Sequence, residues 1–229
     1  MSRSITKATL DFNGLLCYYD MKDVFLPGGT RGLVMPRLTI DEIRKRFELS
    51  GEFNELFDAF EQAIEQRIED IELYRQLFWN HTLTPDELCL FGEKLAAEFP
   101  LLAYDTYMWL ANIFEVTYSM YDNYELAFEY YQKAALARPS EPDPYLDAAD
   151  CYEPDLNIPP ISKLIDFLKK GAAHVTVPKP LYQKLAYLYE LIGNDEMQMY
   201  CKMRAEDGST PPAQPPAQPP DQDDPPPAQ

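Results

Sequence analysis

Apolar positions between residues 39 and 206 recur every three or four residues, the period of a helix with one buried face. Three stretches carry the same quartet: an aromatic residue, a leucine or alanine three on, an alanine next, and another aromatic three after that. They are Tyr107/Leu110/Ala111/Phe114, Tyr145/Ala148/Ala149/Tyr152 and Tyr182/Leu185/Ala186/Tyr189. The leading aromatics lie 38 and 37 residues apart, within the range of helical-hairpin repeats. Such a hairpin cannot bury its apolar face alone. The pattern therefore predicts a solenoid, in which each unit packs on its neighbours and the small rotation per repeat opens a concave face that can hold another polypeptide.

The same period extends toward the amino end. Thr39 and Glu42 have the spacing of a capping box, Ile40, Ile43 and Phe47 form one face, and Ser50-Gly51 ends the helix. The next helix, GEFNELFDAFEQAIEQ, sets Phe53, Leu56, Phe57, Phe60, Ala63 and Ile64 on a broad stripe with charges opposite. A further pair follows: one helix from about Ile68 to Asn80, then a second capped by Thr84, with Pro85 in its first turn and Asp86 and Glu87 beside its positive end. Leu88, Leu95 and Phe99 face inward there, and Pro100 closes the unit.

The two ends break the helical pattern. In residues 1–38, Ala8, Leu10 and Phe12 alternate with polar neighbours, Asn13-Gly14 supplies a turn, and Leu15-Leu16-Cys17-Tyr18-Tyr19 follows, which predicts a β-hairpin. Pro27-Gly28-Gly29-Thr30-Arg31-Gly32 reads as a turn, because no lysine followed by Ser or Thr completes a phosphate loop. Residues 208–229 hold nine prolines with no Lys, Arg or large apolar side chain. That composition predicts a disordered, acidic spacer; Pro212 with Pro215 and Pro216 with Pro219 have the spacing of polyproline ligands, the alternative role.

Composition narrows the function classes. The 229 residues are 46% hydrophobic and carry a formal charge of −18, of which Asp221, Asp223 and Asp224 account for the tail's share, leaving −15 for the remainder. So acidic a surface repels phosphate backbones and anionic lipid, which argues against nucleic-acid and membrane partners and favours basic ones. Four scattered cysteines (Cys17, Cys89, Cys151, Cys201) form no zinc or disulfide pattern. Without a signal-peptide run or a membrane-length apolar segment, the expected location is the cytoplasm.

GEFNELFDAFEQAIE resembles the second helix of a tetratricopeptide repeat, with Gly51 at the turn and Leu56, Phe60 and Ala63 in the matching places; YELAFEYYQKAALARP does so through Ala127, Tyr131, Ala134 and Pro139. The three quartets carry the first-helix pattern, so the resemblance spans about residues 39–206 and implies an α-α superhelix. Three departures stand out. The stretch between Phe114 and Ala127 is about one helical turn too long, EPDLNIPP replaces the turn between Tyr152 and Leu164, and the last unit has Met197, Met199 and Met203 where a small residue is expected. Those methionines fit either an imperfect end cap or a soft docking surface.

No catalytic constellation is legible. His81 and His174 lack a Glu or His at metal-ligand spacing, and Glu65, Glu69, Asp70 and Glu72 read as a solvated helix face. Neither a nucleophile elbow nor a nucleotide motif occurs. The expectation is a non-enzymatic protein without metal or cofactor. In tetratricopeptide repeats the first helix of each hairpin lines the concave face. The resemblance thereby implies a groove of Met108, Asn112 and Glu115; Leu146, Asp150 and Glu153; and Gln183, Tyr187 and Glu190. Such a groove is acidic with apolar patches, as a scaffold or adaptor for a basic or amphipathic protein segment requires. Tetratricopeptide domains that clamp the acidic ends of chaperones use Lys, Arg and Asn on this face, of which only Asn112 is present, so that partner is not expected. Two alternatives stay open: a chaperone resembling the acidic tetratricopeptide chaperones of bacterial secretion systems, and an enzyme with a site at the β-like start.

Overall fold

The computed structural model of the protein describes residues 37–117 and 121–207; for residues 117, 121–123 and 207 it describes the helix alone. The expected β-hairpin and proline-rich tail lie outside these residues. Among the described residues ten helices follow one another: α1 (Ile40–Leu49), α2 (Phe53–Glu65), α3 (Ile71–Phe78), α4 (Pro85–Glu98), α5 (Ala103–Thr117), α6 (Tyr121–Ala137), α7 (Asp143–Asp150), α8 (Ile161–His174), α9 (Lys179–Leu191) and α10 (Asp195–Asp207). A 3-10 turn, Pro100–Leu102, joins α4 to α5.

The helices follow one another as five successive helix–turn–helix units in a tetratricopeptide-like array, with α1 packed on α2, α5 on α6, α7 on α8 and α9 on α10. First helices adjoin first helices, α1 with α3, α3 with α5 and α7 with α9, while α2 adjoins α4 in the second layer. Each later second helix also meets the following first helix, as α4 meets α5, α6 meets α7 and α8 meets α9. This is the α-α arrangement expected from the quartets. Their members Leu110, Ala111, Phe114, Tyr145, Ala148, Ala149, Leu185, Ala186 and Tyr189 are all buried.

Local sequence sets the helix starts. Thr39 and Thr84 form complete capping boxes with Glu42 and Glu87, each Thr hydroxyl accepting from the Glu amide at 3.3 Å and each Glu carboxylate accepting from the Thr amide, at 2.7 and 2.8 Å. Helices α7, α8 and α9 instead begin on Pro142, Pro160 and Pro178. Ile40, placed on the inner face by the sequence pattern, is 48% exposed, because the α1 core stripe is carried by Ile43 and Phe47 alone. Phe57 keeps an exposed edge while stacking on Phe53 at 5.9 Å.

Glycine replaces alanine where second helices approach most closely. A Cβ on Gly171 of α8 would lie 2.6 Å from the Tyr145 ring and 2.7 Å from Leu181, wedged between α7 and α9. On Gly92 of α4 it would lie 2.2 Å from Leu110 of α5. These two contacts fix the spacing of neighbouring hairpins.

Candidate functional site

The nine residues expected to line a groove fall on three first helices and one turn. On α5, Met108 is half-buried against the core, while Asn112 and Glu115 both contact the hydroxyl of Tyr131 from α6, at 2.9 and 2.8 Å. A phenol has one proton, and the carboxylate is the stronger acceptor. Turning the Asn112 amide by half a turn lets its NH2 donate to the phenolic oxygen, which satisfies all three groups.

This network reaches α7. Cys151, at the α7 C-terminus, is buried beside Glu115 and Tyr131, and burial first, then the Glu115 charge, push its thiol well above the ordinary range. Burial likewise drives the Tyr131 phenol upward. Asp147, one turn before Cys151, is raised to about 6 by burial and then by the charges of Asp143, Glu115 and Asp150. Asp143, Glu115 and Asp150 are therefore close enough to oppose the ionisation of Asp147.

Farther along, Asp150 is exposed and pairs with Lys184 of α9. Leu146 is half-buried against the core. Glu153 is not on α7: the helix ends at Asp150, and Glu153 lies in the following turn, its amide donating to the Ile158 carbonyl at 2.8 Å. Gln183, Tyr187 and Glu190 of α9 line an open pocket of about 350 Å³ that Lys179 and Lys202 also enter. Glu190 accepts from Gln198 of α10 at 2.7 Å. The face is thus acidic around α5 and α7 and of mixed charge at α9.

One feature was missed from sequence. Trp79, capping α3, is 53% exposed and meets Trp109 of α5 edge-on at 6.4 Å. The Arg75 guanidinium lies 3.8 Å from the Trp109 ring centre and is held by Glu72 at 2.7 Å. These are the chain's two tryptophans. They stand thirty residues apart, so only the packing of α3 on α5 brings them together; the available signal was their rarity.

Other reactive groups are scattered. Among the described residues no three His, Cys, Asp or Glu side chains gather as a metal site, and no helix is long and apolar enough to cross a membrane. Burial raises the Cys89 thiol, and that of Cys201 to about 11, so neither is activated as a nucleophile. His174 contacts the Lys170 carbonyl at 2.7 Å near the end of α8.

No family model and no curated protein matches the chain. Among solved structures, similar chains include MamA MSR-1 C2, at 19% identity over 73% of this chain and 92% of that one with a TM-score of 0.41. Another is TTC0263, a thermophilic TPR protein in Thermus thermophilus, at 19% identity over 69% and 84% with a TM-score of 0.40.

Proposed function

We propose that the chain is a protein-binding module whose first-helix face takes a basic or amphipathic segment of another polypeptide. The observation that carries this is the carboxylate ridge of Glu115, Asp143, Asp147 and Asp150, where burial first and then the repulsion of its three neighbours lift Asp147 to about 6. A cationic ligand relieves that repulsion, so the ridge favours lysine- and arginine-rich partners over acidic ones. Asn112, Met108 and Leu146 supply polar and apolar contacts beside it. The free thiols of Cys89, Cys151 and Cys201 suit a reducing compartment such as the cytoplasm.

A second reading, a chaperone holding an aggregation-prone amphipathic segment, draws on the exposed Leu191, Ile192, Met199 and Met203 of the last hairpin. The two readings part in one assay. A fluorescein-labelled helical peptide of leucines and arginines is titrated by anisotropy at low and raised salt, against wild type and the double change Asp143→Lys, Asp150→Lys at two exposed ridge positions. The ridge reading expects wild-type binding that weakens with salt, since exposed charges are screened within about 10 Å at 0.1 M, and a further loss of about tenfold or more in the variant. Binding also weakens as pH falls below 6 and Asp147 takes up its proton. Salt-insensitive binding, unaltered in a folded variant and lost on Met199→Ser with Met203→Ser, would favour the chaperone reading.

A further inference from the structure

A second recess lies away from the carboxylate ridge, where α1 and α3 end together. It has a volume of about 270 Å³ and is walled by Glu48, Gln76, Trp79, Asn80 and His81. Two helix C-termini meet here, each carrying the partial negative charge of its last carbonyls.

The recess is built to a fixed shape. The Asn80 side chain, 7% exposed, donates to the Phe47 and Ser50 carbonyls at 2.9 Å each and accepts from the Thr82 amide at 3.0 Å and the Thr82 hydroxyl at 2.6 Å. Its hydrogen-bonding capacity is therefore used, and it ties the end of α1 to the segment after α3. The remaining groups are rich in acceptors. Glu48 is exposed, and among the described residues no cation pairs with it. Gln76 packs beside it, its Oε1 buried behind the recess wall. Trp79 offers a half-exposed indole. The neighbouring cation, Arg75, is already held by Glu72 and by the ring of Trp109.

We infer that this recess seats one lysine or arginine side chain of a bound polypeptide, with Glu48 balancing the charge and Trp79 packing against the alkyl stem and the cation. A carboxylate, an indole and two helix C-termini share one complementary ligand, a donor-rich cation with an apolar stem. The inference rests on the reading of a basic partner and adds to it an anchoring position, separate from the ridge on α5 and α7.

The test uses the full chain, the labelled leucine-arginine peptide and its twin with citrulline in place of arginine, which keeps shape and loses charge. Because the chain's only tryptophans lie at or beside this recess, intrinsic fluorescence reports on it directly. The expected result is a shift of tryptophan emission on titration with the arginine peptide, absent with the citrulline twin. In anisotropy, Glu48→Gln and Trp79→Leu, both changes at exposed side chains, each weaken binding by about tenfold, with circular dichroism unchanged. Wild-type binding with unmoved emission, or with both folded variants binding as tightly as wild type, overturns the anchoring site and leaves the ridge reading standing. Failure of the wild-type chain to bind the arginine peptide at all overturns both.

Discussion

The junction between the first two hairpins and that between the third and fourth are made differently. In the first, rings pack on rings: Phe91 of α4 lies 4.9 Å from Phe60, 5.7 Å from Phe53 and 6.4 Å from Phe57 of α2, and Tyr74 of α3 lies 6.2 Å from Phe47 of α1. In the other, Asn112 and Glu115 of α5 and Tyr131 of α6 face Cys151 and Asp147 at α7, although Phe128 and Phe167 still meet edge-on at 5.5 Å in the second layer. The aromatic junction owes its strength to buried area and holds no carboxylate among these rings. On the proposed function, the polar one offers its carboxylates to a ligand, so that one fold uses the same hairpin contact for support in one place and for recognition in another.

The contrast can be broken hardest at the aromatic junction. Phe91→Ala removes a fully buried ring with three aromatic neighbours, and the expected loss is roughly 3–5 kcal/mol, measured as a fall in the urea midpoint at constant slope. A shift no larger than that of a surface change would mean that the first two hairpins do not depend on this cluster.

Next in size is Gly171→Ala. The added methyl meets the Tyr145 ring and Leu181, both buried, and should cost about 1–3 kcal/mol, read by the same denaturation. A neutral or stabilising result would show that α8 does not approach α7 and α9 this closely.

The smallest effect sharpens the comparison most. Asp147 titrates near 6 in the folded chain against 3.8 for the unperturbed group. Between those values the native state holds a proton that the unfolded chain has released, so this group's stabilising contribution is present below about 3.8 and is lost as pH rises through 6. Asp147→Asn should therefore stabilise the protein at neutral pH and flatten the stability profile between those limits. Solvent screening of a half-buried carboxyl keeps the gain below about 1 kcal/mol. Melting temperatures across that pH range, unchanged in slope by the substitution, would remove Asp147 from the ridge.

The array was largely legible because its signals are local. Capping boxes at Thr39 and Thr84, prolines at helix starts and the aromatic quartets each lie within one helix or its edge, where period and spacing are visible in the chain itself. The site was less legible because its properties come from partners on other helices. Glu115 has a groove position by spacing, yet its contact with Tyr131 depends on how α6 packs. Asp150 counts as a free charge in the sequence until α9 brings Lys184 to it. Glu153 was placed on a helix although Pro154 follows, and a residue before proline is biased away from helical geometry. Ile40 looked buried only because an apolar residue at helical spacing is assumed to face inward; the edge of the stripe is set by what packs against it.

The prolines that open α7, α8 and α9 have a consequence for how such a chain can change. A helix cannot run smoothly back through Pro142, Pro160 or Pro178, because the ring removes a donor and crowds the preceding turn. Each hairpin is therefore punctuated, and its helical register starts afresh whatever lies before it. Residues gained or lost in the turn from Tyr152 to Pro160 alter the length of that turn without rotating the face that α8 presents to its neighbours. Length variation and face specificity become separately adjustable, so this turn is where a foreign peptide could be grafted while the order of the helices is kept.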